Sequence, residues 1–281
     1  MVIQHNIAAI NSYRNLATNT TNLNKNLEKL SSGYKINRAG DDAAGLAISE
    51  SMRNKINGLD QAEANANDAI GLIQTAEGAL TETHAMLQRM TTLATQAANG
   101  TYATYGNNDV GASTTARNNI ELEMNELQKE ITRIATATDY NGVRILNNSN
   151  MRKFQIGATA AEVLTLQGAK MTASALRVSD LYTKMGTVSG ANSAITTISK
   201  AVDTVSYFRA TLGSKQNRLE HTINNLKVTN ENITSAESRI RDTDMAKEIS
   251  AYTKNNILNQ AAQSMLAQAN QSPQSVLQLL G

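Results

Sequence analysis

The chain has 281 residues, with 26 basic and 24 acidic side chains and a formal net charge of +2, so nothing electrostatic points to nucleic acid or an anionic membrane as partner. Without cysteine it has no disulfide, thiolate or zinc–cysteine chemistry, and aromatics at 4% leave it short of the large side chains that fill compact cores. No apolar run approaches the roughly 20 residues of a membrane span, and MVIQHNIAAINSYRN lacks the basic and apolar regions of a secretory signal.

Taken in chain order, Ile3, Ile7, Ile10, Leu16, Leu23, Leu27 and Leu30 repeat at helical spacing, with one phase slip between Ile10 and Leu16. The pattern stops in SSGYKINRAGDD, where Gly33 and Gly40 can take conformations closed to other residues, and Asp41 or Asp42 is suited to cap a following helix. That second helix is expected over about Ala43–Asn99, with Met52, Leu59, Ala66, Ile73, Leu80, Leu87 and Ala94 at every seventh position. Its companion column is read as mixed (Ile56, Glu63, Ile70, Glu77, His84, Thr91), which argues for a bundle helix rather than a clean two-stranded coiled coil. Gly100 ends it, TYATYGNNDVGASTT reads as a surface connection, and Ile120, Met124, Leu127, Ile131 and Ile134 mark a third helix.

The middle of the chain changes character. TDYNGVRILNNSN and MRKFQIGATAAEVLTLQGA, with Asn-Gly and the alternating runs Arg152–Ile156 and Val163–Leu166, predict a small β-hairpin region, while Met171–Gly190 carries no decisive pattern. Helix resumes near Ala191. Ile198, Val205, Leu212, Leu219, Leu226 and Ile233 are consecutive sevens, the strongest periodic signal present. A break around SAESRIRDTD precedes a last helix with Met245, Ile249, Tyr252, Leu258, Ala262, Met265, Leu266 and Ala269. Pro273 punctuates that helix, and Val276, Leu277 and Leu280 close the chain with an apolar cluster.

The expected fold is mainly α: a long antiparallel helical bundle or coiled-coil rod with a small β-hairpin region mid-chain. Its expected segments are 1–42, an end helix and joint; 43–150, half the bundle; 151–190, the hairpin region; 191–235, the returning bundle helix; and 236–281, a second joint and end helix. Met52, Leu59, Ile73, Leu80, Leu87, Ile198, Val205, Leu212, Leu219, Leu226 and Ile233 are the candidate bundle core, each buried Leu or Ile contributing roughly 1.5–3 kcal/mol. The end helices offer each other one thin stripe, too little to offset roughly 1–2 kcal/mol of backbone entropy per residue. They are expected to be disordered in the isolated chain and to fold when neighbouring copies cover them. Ile3, Ile7, Ile10, Leu16, Leu23, Leu27, Leu30, Ile249, Leu258, Met265, Leu266, Val276, Leu277 and Leu280 are the candidate self-assembly residues. His5, His84 and His221 have no ligand spacing, and no metal or triad motif is present, so no catalytic residue, metal or cofactor is expected.

KLSSGYKINRAGDDAAGLAISESM (Lys29–Met52) closely resembles the N-terminal signature of bacterial flagellin. NANDAIGLIQTAEGAL, YNGVRILN, FQIGA and NRLEHTINNL resemble further flagellin motifs, and AESRIRDTDMAKE with MLAQANQSPQSVLQLL is similar to the C-terminal signature. The resemblance implies a structural subunit, not an enzyme, that assembles with itself into the extracellular flagellar filament. End helices would form the inner tube, the bundle the outer tube, and Ser31–Asp42 with Ser235–Asp244 the joints. It further implies export of the unfolded chain through the flagellar type III channel, a cytosolic export chaperone on the C-terminal helix, and the filament cap and hook–filament junction proteins as partners.

With almost no insertion after the hairpin, the chain looks like a short flagellin without the outer variable domains. LQRMTTLATQ resembles the stretch read by the flagellin-sensing Toll-like receptor: Leu87, Gln88, Arg89, Leu93 and Gln96 match, whereas Thr91 and Thr92 replace an arginine and a glutamate. The competing readings are a hook–filament junction or cap protein, and a flagellin hosting a protease, for which the variable region is too short.

Overall fold

In the computed structural model residues 6–99 and 112–280 are described, the side chains of 112–116 and 272–280 excepted. Among the described residues five α-helices are present: α1 (Ile7–Ser32), α2 (Ala43–Ala98), α3 (Ala112–Ala137), α4 (Val188–Arg241) and α5 (Met245–Leu280). Strands β1 (Met151–Gln155) and β2 (Val163–Gln167) pair antiparallel, Phe154 opposite Leu164, as their alternation predicts. The expected connection TYATYGNNDVGASTT lies largely outside the described residues, as do Ile3 and His5 and the side chains of Val276, Leu277 and Leu280.

Two compact units divide the chain. One joins the residues up to Asn57 with those from Asn230 onward, and the other is Gly58–Thr229. In the second unit α2, α3 and α4 share one core, in which Ile73, Leu80, Leu87, Ile198, Val205, Leu212 and Leu219 are buried, and Leu59 and Leu226 are buried outside that cluster. Met52 and Ile233, at the ends of the two columns, are only partly buried and belong to the first unit. Glu63 pairs with Lys227 and Glu77 with Arg209, each at the interaction limit (3.4 and 3.5 Å), so α2 and α4 run antiparallel.

The companion column on α2 is not the mixed one. Its buried members are Ala62, Ala69, Ala76, Thr83, Met90 and Ala97, three residues on from each member of the Leu59–Ala94 column. The mixed column is the half-buried flank, whose glutamates supply the ion pairs to α4. On α3 the buried face is Ile120, Met124, Gln128, Ile131 and Ala135.

The flagellin-like motifs seat the small elements on α2. Asn65 Nδ2 donates to the Gln155 carbonyl at the end of β1 (3.0 Å). Gly71 sits where a Cβ would come 3.2 Å from the Tyr140 hydroxyl, close enough to justify a glycine inside a helix, where it is normally unfavourable by about 0.5–1 kcal/mol. Tyr140–Val143 is a tight turn closed by two backbone hydrogen bonds, with Asn141 and Gly142 both at positive φ (50° and 75°). Met171–Gly190, where the sequence carries no decisive pattern, packs Met171, Ala173, Leu176, Val178, Leu181 and Met185 into the shared core, with a 3-10 turn at Tyr182–Lys184.

Leu80 is fully buried and Tyr207 is 77% exposed. Leu80→Ala is therefore expected to destabilise the bundle by about 2–5 kcal/mol, and Tyr207→Ala by no more than about 0.5 kcal/mol, as read from chemical denaturation of the full chain.

Candidate assembly surface

The first unit is built from both chain ends. α1 stops at Gly33, whose φ of 75° is left-handed and whose N–H donates to the Lys29 carbonyl (2.9 Å). Gly40 does not take a positive φ, so the freedom expected of both glycines is used at one. The two aspartates divide the capping work. Asp42 Oδ1 accepts from Gly45 N–H (2.9 Å) and caps α2, while Asp41 Oδ2 accepts from Arg38 N–H (3.1 Å) and Asn37 N–H (3.2 Å) and closes the turn before it.

The second expected break is far shorter than predicted. SAESRIR is helical to Arg241, only Asp242–Asp244 interrupt, and Asp244 Oδ1 caps α5 by accepting from Lys247 N–H (3.2 Å). The two breaks pair with each other. Lys35 N–H donates to the Arg241 carbonyl (2.7 Å) and Thr243 N–H to the Gly33 carbonyl (2.9 Å), either side of a Tyr34–Asp242 bridge. Arg241 lies over the Tyr34 ring (4.7 Å) and pairs with Glu50 (2.6 Å), so one guanidinium ties both turns to α2.

Beyond the turns α1 packs on α5. The partly buried positions of α1 follow a three–four alternation in two columns: Leu16, Leu23 and Leu30, and Ser12, Asn19 and Asn26. On α5 the matching columns are Tyr252, Asn259 and Leu266, and Glu248, Asn255, Ala262 and Ala269. The candidate assembly residues thus fall on two faces. Leu16, Leu23, Leu30 and Leu266 face the seam in part, while Ile7 (64% exposed), Ile10, Leu27, Ile249, Leu258 and Met265 (62%) lie outside it. Met245, which opens the expected stripe of the last helix, is exposed too, as are Tyr13 and Ile257 (60%), which periodicity did not single out. The phase slip after Ile10 is this change of face. α5 also continues through Pro273, contrary to the expected break.

Of the receptor-like stretch, Leu87 and Leu93 are buried in the core, whereas Gln88, Arg89 and Gln96 are exposed. Arg89 makes a two-pronged bond to Glu123 of α3 (2.6 and 3.1 Å), and that bond raises its pKa. The Arg89 guanidinium fork is thus engaged within the chain.

Paired ends, with their larger apolar side chains turned outward, are the construction of a structural subunit made to pack against others. Residues 3–151 match the bacterial flagellin N-terminal helical region, and residues 195–280 match the bacterial flagellin C-terminal helical region. The chain is 47% identical to flagellin of Bacillus subtilis (strain 168) and 44% identical to the flagellar filament 33 kDa core protein of Treponema phagedenis, over the full length of both chains in each case. It is 49% identical to flagellin of Halalkalibacterium halodurans, again over 100% of both chains. A putative flagellar hook-associated protein from Vibrio parahaemolyticus shares the fold alone (TM-score 0.60, 12% identity, 72% of this chain and 100% of that one). The chain belongs to the bacterial flagellin family. It is a flagellar filament subunit, from a structural rather than an enzymatic family.

The N–H groups of Arg38 and Asn37 hold the Asp41 carboxyl below the ordinary carboxylate range. The folded turn therefore gains from ionised Asp41 above its unfolded pKa of about 3.9, and that gain is lost as pH falls through the lower folded value. An NMR titration is expected to place the Asp41 midpoint below that of a free aspartate; a midpoint at or above it would contradict the assigned hydrogen bonds.

Proposed function

We propose that copies of this chain polymerise into the filament through the outward apolar faces of α1 and α5, with the paired turns as the joint leading into them. The observation that carries this reading is that Ile7, Ile10 and Tyr13 on one helix, and Ile257 and Met265 on the other, stand 59–66% exposed in a pair whose own seam is rich in amides. Such side chains gain free energy only when another surface removes them from water. Contacts between unlike faces of identical copies do not close on themselves and so extend a fibre. The same exposed stripes need cover before assembly. In this reading a cytosolic export chaperone covers α5, the chain passes unfolded through the flagellar type III channel, and it is placed outside the cell beneath the filament cap, beyond the hook–filament junction proteins. A junction or cap role is the alternative, and seeding separates the two, because a filament subunit lengthens seeds and a junction protein stops their growth.

A host Toll-like receptor is a second reading, favoured by exposed Gln88, Arg89 and Gln96 on one stretch of α2. Leu87 and Leu93 then act from beneath, by holding that stretch in place.

Ile10→Asp and Ile257→Asp are expected to abolish elongation of filament seeds while leaving thermal unfolding of the Gly58–Thr229 unit unchanged; elongation at the wild-type rate would overturn the assembly reading. Arg89→Glu is expected to lower receptor activation several-fold in a reporter-cell assay without altering filament growth; unaltered activation would remove the receptor reading alone.

A further inference from the structure

The sequence holds Asn-Gly pairs at Asn57–Gly58, Asn99–Gly100 and Asn141–Gly142. Such a pair can modify itself. The glycine nitrogen bonds to the asparagine Cγ, the Cγ–Nδ2 bond breaks, and ammonia leaves with the proton that the nitrogen gives up. Water then opens the resulting succinimide on either side, to aspartate or to isoaspartate. Glycine admits this most readily, because no Cβ hinders the attacking nitrogen. Asn57–Gly58 lies within α2, whose hydrogen-bond ladder occupies the glycine N–H, and Gly100 falls outside the described residues. Asn141–Gly142 stands in a turn with both residues exposed.

In that turn the nucleophile is held. Gly142 N–H donates to Asp139 Oδ2 (2.9 Å), from an aspartate just past the end of α3 at Ala137. The carboxylate engages the hydrogen that must leave, and its negative charge disfavours the amide anion that would attack. The backbone adds a second obstacle. Asn141 is left-handed (φ 50°), a conformation that places the following nitrogen nearly opposite the asparagine's own Cβ. Bringing that nitrogen round to Cγ means swinging the Asn141–Gly142 peptide. The swing is opposed by the bonds that close the turn, Tyr140 N–H to the Val143 carbonyl (3.1 Å) and Val143 N–H to the Tyr140 carbonyl (2.9 Å).

We propose that Asn141 is a latent deamidation site and that Asp139 guards it. Isoaspartate adds a methylene to the backbone, so a turn closed by two bonds between Tyr140 and Val143 loses its match. The same turn seats Tyr140 against Gly71 of α2, which ties a chemical change at an exposed loop to the packing of the bundle. A subunit that stays in place once assembled has most to lose, a consequence that rests on the assembly reading; the chemistry does not.

The test uses the full chain in solution, so no filament is needed. Folded chain and chain unfolded in guanidinium are incubated at the same pH and temperature. Peptide mapping by mass spectrometry then reads ammonia loss at Asn141 and separates aspartate from isoaspartate. Folded wild type should lose ammonia there several-fold more slowly than unfolded wild type. D139A should remove most of that difference, and D139N, whose side-chain oxygen still accepts from Gly142 but without the charge, should fall between the two. Thermal unfolding establishes that the variants keep the bundle. A wild-type rate in folded D139A, or in D139N should D139A fail to fold, would overturn the guard, as would equal rates in folded and unfolded wild type. Chain that has become isoaspartate at 141 should also exchange the Val143 amide hydrogen faster; unchanged exchange would overturn the effect on the turn.

Discussion

Two helices lying side by side cannot remove both of their apolar faces from water, and the ends of this chain are two helices lying side by side. The three-helix unit escapes that constraint because α2, α3, α4 and the loop at 168–187 surround a common interior, where Leu80, Leu87, Ile198 and Leu212 reach zero exposure. In the α1–α5 pair no large aliphatic among the described residues is buried. The ends, expected to be disordered alone, form a helical pair whose larger apolar side chains Ile7, Ile10, Tyr13, Ile257 and Met265 stay exposed. In the assembly proposed above, neighbouring copies supply the surface that covers these faces.

That shortage explains the distribution of side-chain types in the pair. Leucines and Tyr252 share the intramolecular seam with amides and small residues, while Ile7, Ile10, Tyr13, Ile249, Ile257 and Met265 lie outside it. The arrangement reverses the usual rule for a self-sufficient helical hairpin, which hides its largest apolar residues within itself. At the joint the same economy recurs. The two interruptions are short, bonded to one another by backbone hydrogen bonds, and clamped by Arg241 between Tyr34 and Glu50. At the joint Ile36 is buried at 3% exposure, whereas no large aliphatic of the described α1 and α5 side chains is.

How much of this was legible depended on side-chain size. Leu59 to Leu87 and Ile198 to Leu226 announce the bundle because large aliphatics repeat every seven residues. The alanine column from Ala62 to Ala97 is equally buried but reads as neutral, so the half-buried flank with Glu63 and Glu77 was taken for the companion. The loop with Met171, Leu176, Leu181 and Met185 has irregular spacing because it is shaped by contact with α3 rather than by its own periodicity. In the end helices the phase slip after Ile10 was visible. Its meaning was not, because Asn26 and Asn259 stand at core spacing with side chains that a hydrophobic count discards. Pro273 punctuates the pattern in sequence, yet α5 runs through it, and Asn6, 263 residues away and beyond any local rule, donates to the Ala269 carbonyl.

Hydrogen exchange on the full chain, first as monomer and then in the filament, tests the central claim most directly. The account predicts that amides of α2 and α4 around Leu80, Leu87 and Ile198 are protected in both states, while those of α1 and α5 exchange readily in the monomer and become protected by orders of magnitude in the filament. Protection of α1 and α5 in the monomer equal to that of the bundle would contradict it, because the ends would then be stable without their neighbours.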